Sequence, residues 1–154
     1  MAFDVKQVKG MDRVVAVASA IALLSMFLPW YGVSAGPFSA SVSGFGSGYG
    51  WLGAVMIVAA GVYTVLLRSG STMRTSSIGP ATWIAGLSVV GTLLVIVRWL
   101  SMPSASIGAG FSYGPRVGII LALVAGLVQV VASIRLFRHS GERVPWSAKQ
   151  GQSN

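Results

Sequence analysis

The sequence has no cysteine, three acidic residues and a single histidine. Each scarcity closes a class of chemistry. Without cysteine there is no disulfide, thiolate metal site or thiol nucleophile. The acids are Asp4, Asp12 and Glu142, and none falls in a long apolar segment or in the loops read below as external. That removes carboxylate acid–base pairs, carboxylate metal clusters, the usual intramembrane proton relay and the acidic ring of many cation channels. His139 sits in "RLFRHSG", where capping a helix end or touching headgroups is the expected role. No serine stands in a recognisable nucleophile motif with a His or Lys base, and no phosphate loop or dinucleotide glycine pattern is present. The expectation is a protein that is not an enzyme and takes no cofactor or metal.

Charge is also scarce. Only 9% of residues are charged, 54% are hydrophobic, and the mean hydropathy is +0.76. A soluble domain is about a quarter charged, so apolar residues gathered in long runs indicate membrane helices.

The charges that are present are mostly positive, giving a net +8. Lys6, Lys9 and Arg13 precede the first apolar run, and Arg68 and Arg74 follow the second. Arg135, Arg138, Arg143 and Lys149 follow the fourth, so nine of the eleven basic residues cluster at three places. Positive segments resist translocation, which makes these places cytoplasmic. The basicity therefore reads as topology and attraction to anionic lipid, not as a nucleic-acid surface.

Four segments have bilayer-spanning length: about 14–30, 50–67, 81–100 and 117–137, at a rise of about 1.5 Å per residue. Both termini and the Arg68–Pro80 connection are expected in the cytoplasm, with Tyr31–Tyr49 and Ser101–Arg116 outside. Pro80 and Pro115 stand where a helix start tolerates a missing N–H. A cleaved signal peptide ending near "VSA", Val33–Ala35, is the rival for the first segment. Its aromatic end at Phe27 and Trp30 favours a retained helix. Residues 1–139 then form one transmembrane domain, and 140–154 a basic, disordered cytoplasmic tail.

An internal repeat follows. "GSGYGWLGAVMIVAAGV", Gly46–Val62, resembles "GFSYGPRVGIILALVAGL", Gly110–Leu127. The spacing from Gly53 to Gly61 equals that from Gly118 to Gly126, which suggests a duplicated two-helix hairpin. Small residues form stripes: Gly118, Ala122 and Ala125 leading to Gln129; Ala81, Ala85, Ser88 and Thr92; and Ala18, Ala22 and Ser25. In lipid, close approach at such stripes drives helix association. Gln129 is expected to make an interhelical hydrogen bond there.

The stretch from Phe27 to Gly53 carries no charge. Trp30, Tyr31 and Trp51 are expected as interface anchors. "FSASVSGF" and "SASIGAGFSY" alternate small polar with apolar residues, and Gly36-Pro37 signals a turn. The two outer loops are therefore expected to pair into a small β-sheet. Arg98 and Arg116 bracket the second loop without any acid on that side. At the end of one helix and the start of the next, they are expected to lie near each other and share an anionic partner. A phospholipid headgroup is the first candidate and an acidic residue of a partner subunit the second, with independent snorkelling into headgroups as the alternative.

The segment "FLPWYGVS", Phe27–Ser34, a Gly/Ser loop and then "GYGWLG" resemble uncharacterised small four-helix membrane proteins of actinobacteria. That resemblance implies an apolar first helix ending in Leu-Pro-Trp and a Gly/Ser-rich outer loop, and no activity. The outline is also similar to claudin-like proteins, whose paired-cysteine signature is absent here.

The expected fold is thus an all-α integral membrane protein: a four-helix transmembrane bundle of two repeated hairpins with a small extracytoplasmic β cap. It is multi-pass in the cell membrane. The expected function is an accessory or scaffolding subunit of a cell-envelope membrane complex. Its partners are membrane lipids and other membrane subunits or a homo-oligomer, and not nucleic acid. A small ion channel or membrane-depolarising protein of the phage exclusion type is the alternative, and a lipid-binding membrane protein the third class.

Overall fold

The computed structural model describes residues 5–68, 79–102, 105–106 and 111–141. The polypeptide is mostly helical. Its helices are α1 (Val5–Phe27), α2 (Gly50–Arg68), α3 (Pro80–Leu100) and α4 (Val117–Ser140). Each contains a stretch of at least 18 residues long and apolar enough to cross a membrane, and between a third and a half of each stretch is buried in the bundle. Four strands accompany them: β1 (Pro29–Ala35), β2 (Phe38–Ser43), β3 (Ala105–Ser106) and β4 (Phe111–Pro115).

The helices form a ring in which α1 packs on α2 and α4, and α3 packs on the same two. The connections between α1 and α2 and between α3 and α4 carry the strands, so both lie at one end of the bundle. Contact between α2 and α3 is closest at two glycines. A Cβ at Gly53 would lie 2.6 Å from the Gly91 carbonyl oxygen, and one at Gly91 2.7 Å from that of Gly53. Only glycine lets two helix backbones meet in this way. The other repeat glycines are used in parallel fashion. Gly61 of α2 faces Ser19 of α1, and Gly126 of α4 faces Thr92 of α3. Gly118, the counterpart of Gly53, closes on the carbonyls of Leu28 and Pro29 as the chain leaves α1.

The first helix departs from the sequence expectation at both ends. It starts at Val5 and stops at Phe27, so Pro29 and Trp30 belong to β1 and not to a helix reaching residue 30. Proline explains the stop. In a continued helix the N–H of residue 29 would bond the Ser25 carbonyl, and proline has none to give. That carbonyl instead accepts the Leu28 amide at 3.2 Å and the Trp30 indole N–H at 2.7 Å. Pro29 opens the strand, a position where a missing donor costs little. Pro115 likewise ends β4 and does not open α4, whose N-cap is Arg116. Pro80 does stand in the first turn of α3.

The loops around the sheet end pair as the alternation suggested. Strand order is β2-β1-β4-β3, all neighbours antiparallel. Three strands carry the sheet, and the two-residue β3 adds a short edge. β1 and β2 join through Gly36-Pro37, where Gly36 has φ 57°, a left-handed conformation that favours glycine. The β1–β4 pairing, from Tyr31 opposite Pro115 to Ala35 opposite Phe111, is the link between the two loops. Along β1, Trp30 and Gly32 are buried while Val33 is exposed, so one face lies against the bundle. The expected tail from residue 142 onward and most of the Arg68–Pro80 connection lie outside the described residues.

Candidate functional site

Two polar groupings stand out, one at mid-bundle and one at the sheet end. The first centres on Gln129 of α4, which is fully buried. Its amide nitrogen donates to the Ile57 carbonyl of α2 at 2.8 Å and to Ser88 Oγ of α3 at 3.2 Å. Its Oε1 accepts from Ser19 Oγ of α1 at 2.9 Å. One side chain therefore ties all four helices. Ser88 Oγ in turn donates to the Ile84 carbonyl at 2.7 Å, and Ser19 Oγ also reaches the Ile57 carbonyl at 3.0 Å. The amide's two donors and its carbonyl oxygen all have partners, as a polar group must where no water can serve it.

The stripes that sequence reading singled out line this interior. Gly118, Ala122 and Ala125 are buried with Gln129 on α4, and Ala81, Ser88 and Thr92 on α3. Ala85 is half-buried. Ala22, Met26, Ile57, Val95 and Ile119 pack into the same apolar core as Trp30. Sequence reading placed Gln129 but not its partners, Ser19 and the Ile57 carbonyl. The signal that finds Ser19 is depth: Ser19, Ser88 and Gln129 each lie near the middle of an apolar segment, although Ser25 and Thr92 lie as near and make no bond to Gln129.

At the sheet end the arginines take different partners. Arg98, half-buried, lies beside the start of α2, with its guanidinium carbon 5.6 Å from the centroid of the Tyr49 ring. The neighbouring Gly50 leaves room for its stem, since a Cβ there would come within 2.7 Å of Arg98 Cγ. Tyr49 Oη meets Ser101 Oγ at 2.6 Å, which holds the ring under the cation. Arg98 Nε is buried and has no hydrogen-bond partner. Arg116, exposed, donates through Nη2 to Ser34 Oγ of β1 at 2.8 Å, and its backbone N–H bonds the Trp30 carbonyl at 2.9 Å. Gly32 supplies the space its guanidinium crosses. The sequence places the two arginines on either side of one loop; in the structure Arg98 faces α2 and Arg116 faces β1.

The aromatic residues divide similarly. Trp51 is exposed and Tyr31 half-buried, but Trp30 is wholly enclosed, packed against Gly44 and Gly118. Trp30 is thus a core residue of the sheet end and does not face outward. The outward apolar side chains there include Phe38, Phe45 and Phe111, with Phe27 and Phe45 edge to face at 5.3 Å.

Among the described residues, no three of His, Asp and Glu gather as a metal site would require. Searches found no matching family model, curated protein or solved structure for this chain.

Proposed function

We propose that this chain is a non-enzymatic integral membrane protein acting as an accessory or scaffolding subunit of a cell-envelope membrane complex. In this reading the four helices cross the cell membrane, both termini lie in the cytoplasm, and the sheet is an extracytoplasmic cap. The parallel use of Gly53, Gly61, Gly118 and Gly126 supports two duplicated hairpins. The interior is occupied at the level of Gln129 by side chains that bond each other, which favours a structural role over an ion path.

The observation that carries the subunit role is β2. It is an edge strand, its residues Phe38–Val42 are all exposed, and it bears no charge. Proteins that stay alone usually blunt such an edge with lysine, proline or a covering element. An unprotected edge offers its free backbone groups to a strand of another chain, with Phe38, at 77% exposure, as an apolar anchor.

Because the sequence has no cysteine, a single Ser41→Cys variant reports on this edge alone. Crosslinking it in native membranes, followed by purification in mild detergent, should recover a stoichiometric partner or a homo-oligomer. A monodisperse monomer with no crosslinked product would defeat the proposal. Reporter fusions at Gly44 and Ala109 should read as extracytoplasmic, and those at Ser71 and Ser147 as cytoplasmic. A cytoplasmic signal at Gly44 would overturn the membrane topology.

A further inference from the structure

The helix exteriors are not uniform. Between α1 and α4 runs an open groove of about 360 Å³, walled by Val14, Val17 and Ile21 on one side and Val124 and Val128 on the other. Arg13 is its one charged lining residue. Arg135 stands at the same mouth by helix geometry. It lies seven residues beyond Val128, on the same face of α4. Val15 and Ala132 share one buried cluster, which sets the level of the two helices against each other. Arg13 is two residues from Val15 and Arg135 three from Ala132, each towards the end of the bundle opposite the sheet. Both are exposed. Asp12, the neighbouring acid, is half-buried and already engaged in an interaction of its own.

We infer that this groove is a binding site for an anionic phospholipid, one acyl chain lying along the valines and the headgroup phosphate held by Arg13 and Arg135. The groove supplies each half of what an anionic lipid requires. Its walls are apolar over about 12 Å, the rise from Arg13 to Ile21, and the cationic fork pair suits a phosphate at one end. A second groove makes the contrast. Between α1 and α2 a space of about 280 Å³ is lined by residues such as Ala20, Leu23, Val58 and Val62, none of them charged. That lining offers an acyl chain a place and presents no charged group of its own to a headgroup. The inference rests on the membrane-spanning half of the reading above and not on the subunit role, so the reporter fusions and the crosslinking test it separately.

The test is native mass spectrometry of the full chain in mild detergent, titrated with dioleoyl phosphatidylglycerol or dioleoyl phosphatidylcholine. Phosphatidylglycerol should be retained as one tightly held molecule per chain, well above phosphatidylcholine. The Arg13→Gln/Arg135→Gln variant should weaken that retention on the order of tenfold. Val17→Trp, a change at an exposed wall position, should displace the chain and lower phosphatidylglycerol retention with helicity intact by circular dichroism. Glycerol 3-phosphate, which has the phosphate without the chains, should not compete. Equal retention of the two lipids by the wild type overturns the inference, and this arm needs no variant. So does unchanged retention in a folded double variant, or full competition by glycerol 3-phosphate, which would make the arginines a simple anion site.

Discussion

The middle of the bundle and its sheet end treat polar groups in opposite ways. At the middle, both amide donors of Gln129 and its carbonyl oxygen have partners in Ser88, the Ile57 carbonyl and Ser19. At the sheet end, Arg98 rests on Tyr49 with Nε unpartnered, and Arg116 uses one serine. The difference follows from what each depth offers. At mid-bundle Gln129 is fully buried among the four helices, so no outside group reaches it and the chain must complete its bonds. At the sheet end Arg116 is exposed, so its remaining donors face outward, whereas Arg98 Nε is enclosed and its guanidinium rests on the Tyr49 ring. Thr92 is the exception that tests the rule, because its Oγ1 is buried beside Gly126 without a hydrogen-bond partner.

The comparison can be broken or sharpened by substitutions, each read as unfolding free energy in detergent micelles by far-ultraviolet circular dichroism. Gly91→Leu should have the largest effect, a loss of roughly 3 kcal/mol or more, because helix backbones in contact must separate. Gln129→Leu comes next at roughly 2 kcal/mol, several modest interhelical bonds lost together. A cost near zero would mean that the node does not hold the helices together. Arg98→Gln should cost less than about 1 kcal/mol, since it removes a cation–π contact but also relieves an unpartnered donor. Thr92→Val should be neutral or slightly stabilising, within about 0.5 kcal/mol, as it deletes an unmet hydroxyl at nearly constant shape. Destabilisation by Thr92→Val as large as that of Gln129→Leu would erase the distinction between met and unmet polar groups.

Much of this arrangement is legible in the sequence because it is written in local patterns. Long apolar runs mark the helices, small residues mark the faces that meet, and alternation in "FSASVSGF" marks β2. The end of α1 was not legible. Apart from Ser25 and Pro29, apolar residues continue from Ile21 through Trp30, and hydropathy alone reads such a run equally as helix or strand. What decides it is a contact, the Trp30 indole on the carbonyl that Pro29 leaves open. The early start of α1 was missed for the opposite reason, since Lys6, Lys9 and Arg13 end the apolar run that hydropathy detects, although lysine and arginine are good helix formers. The partners of Gln129 are 110, 72 and 41 residues away in sequence, beyond any local pattern. The separate environments of Arg98 and Arg116 were hidden likewise: closeness in sequence suggested a pair, whereas Arg98 faces the start of α2 and Arg116 faces β1.

The central claim is that the interior is a closed, self-bonded node serving to hold helices and not to conduct. Single cysteines at Ser19 and Ser88, with Ser41→Cys on β2 as the exposed control, test it in liposomes against a membrane-impermeant charged thiol reagent. The account predicts rapid modification at position 41 and none at 19 or 88 from either side of the membrane. Modification at 19 or 88 at a rate near that of position 41 would reveal a water path through the bundle and contradict it.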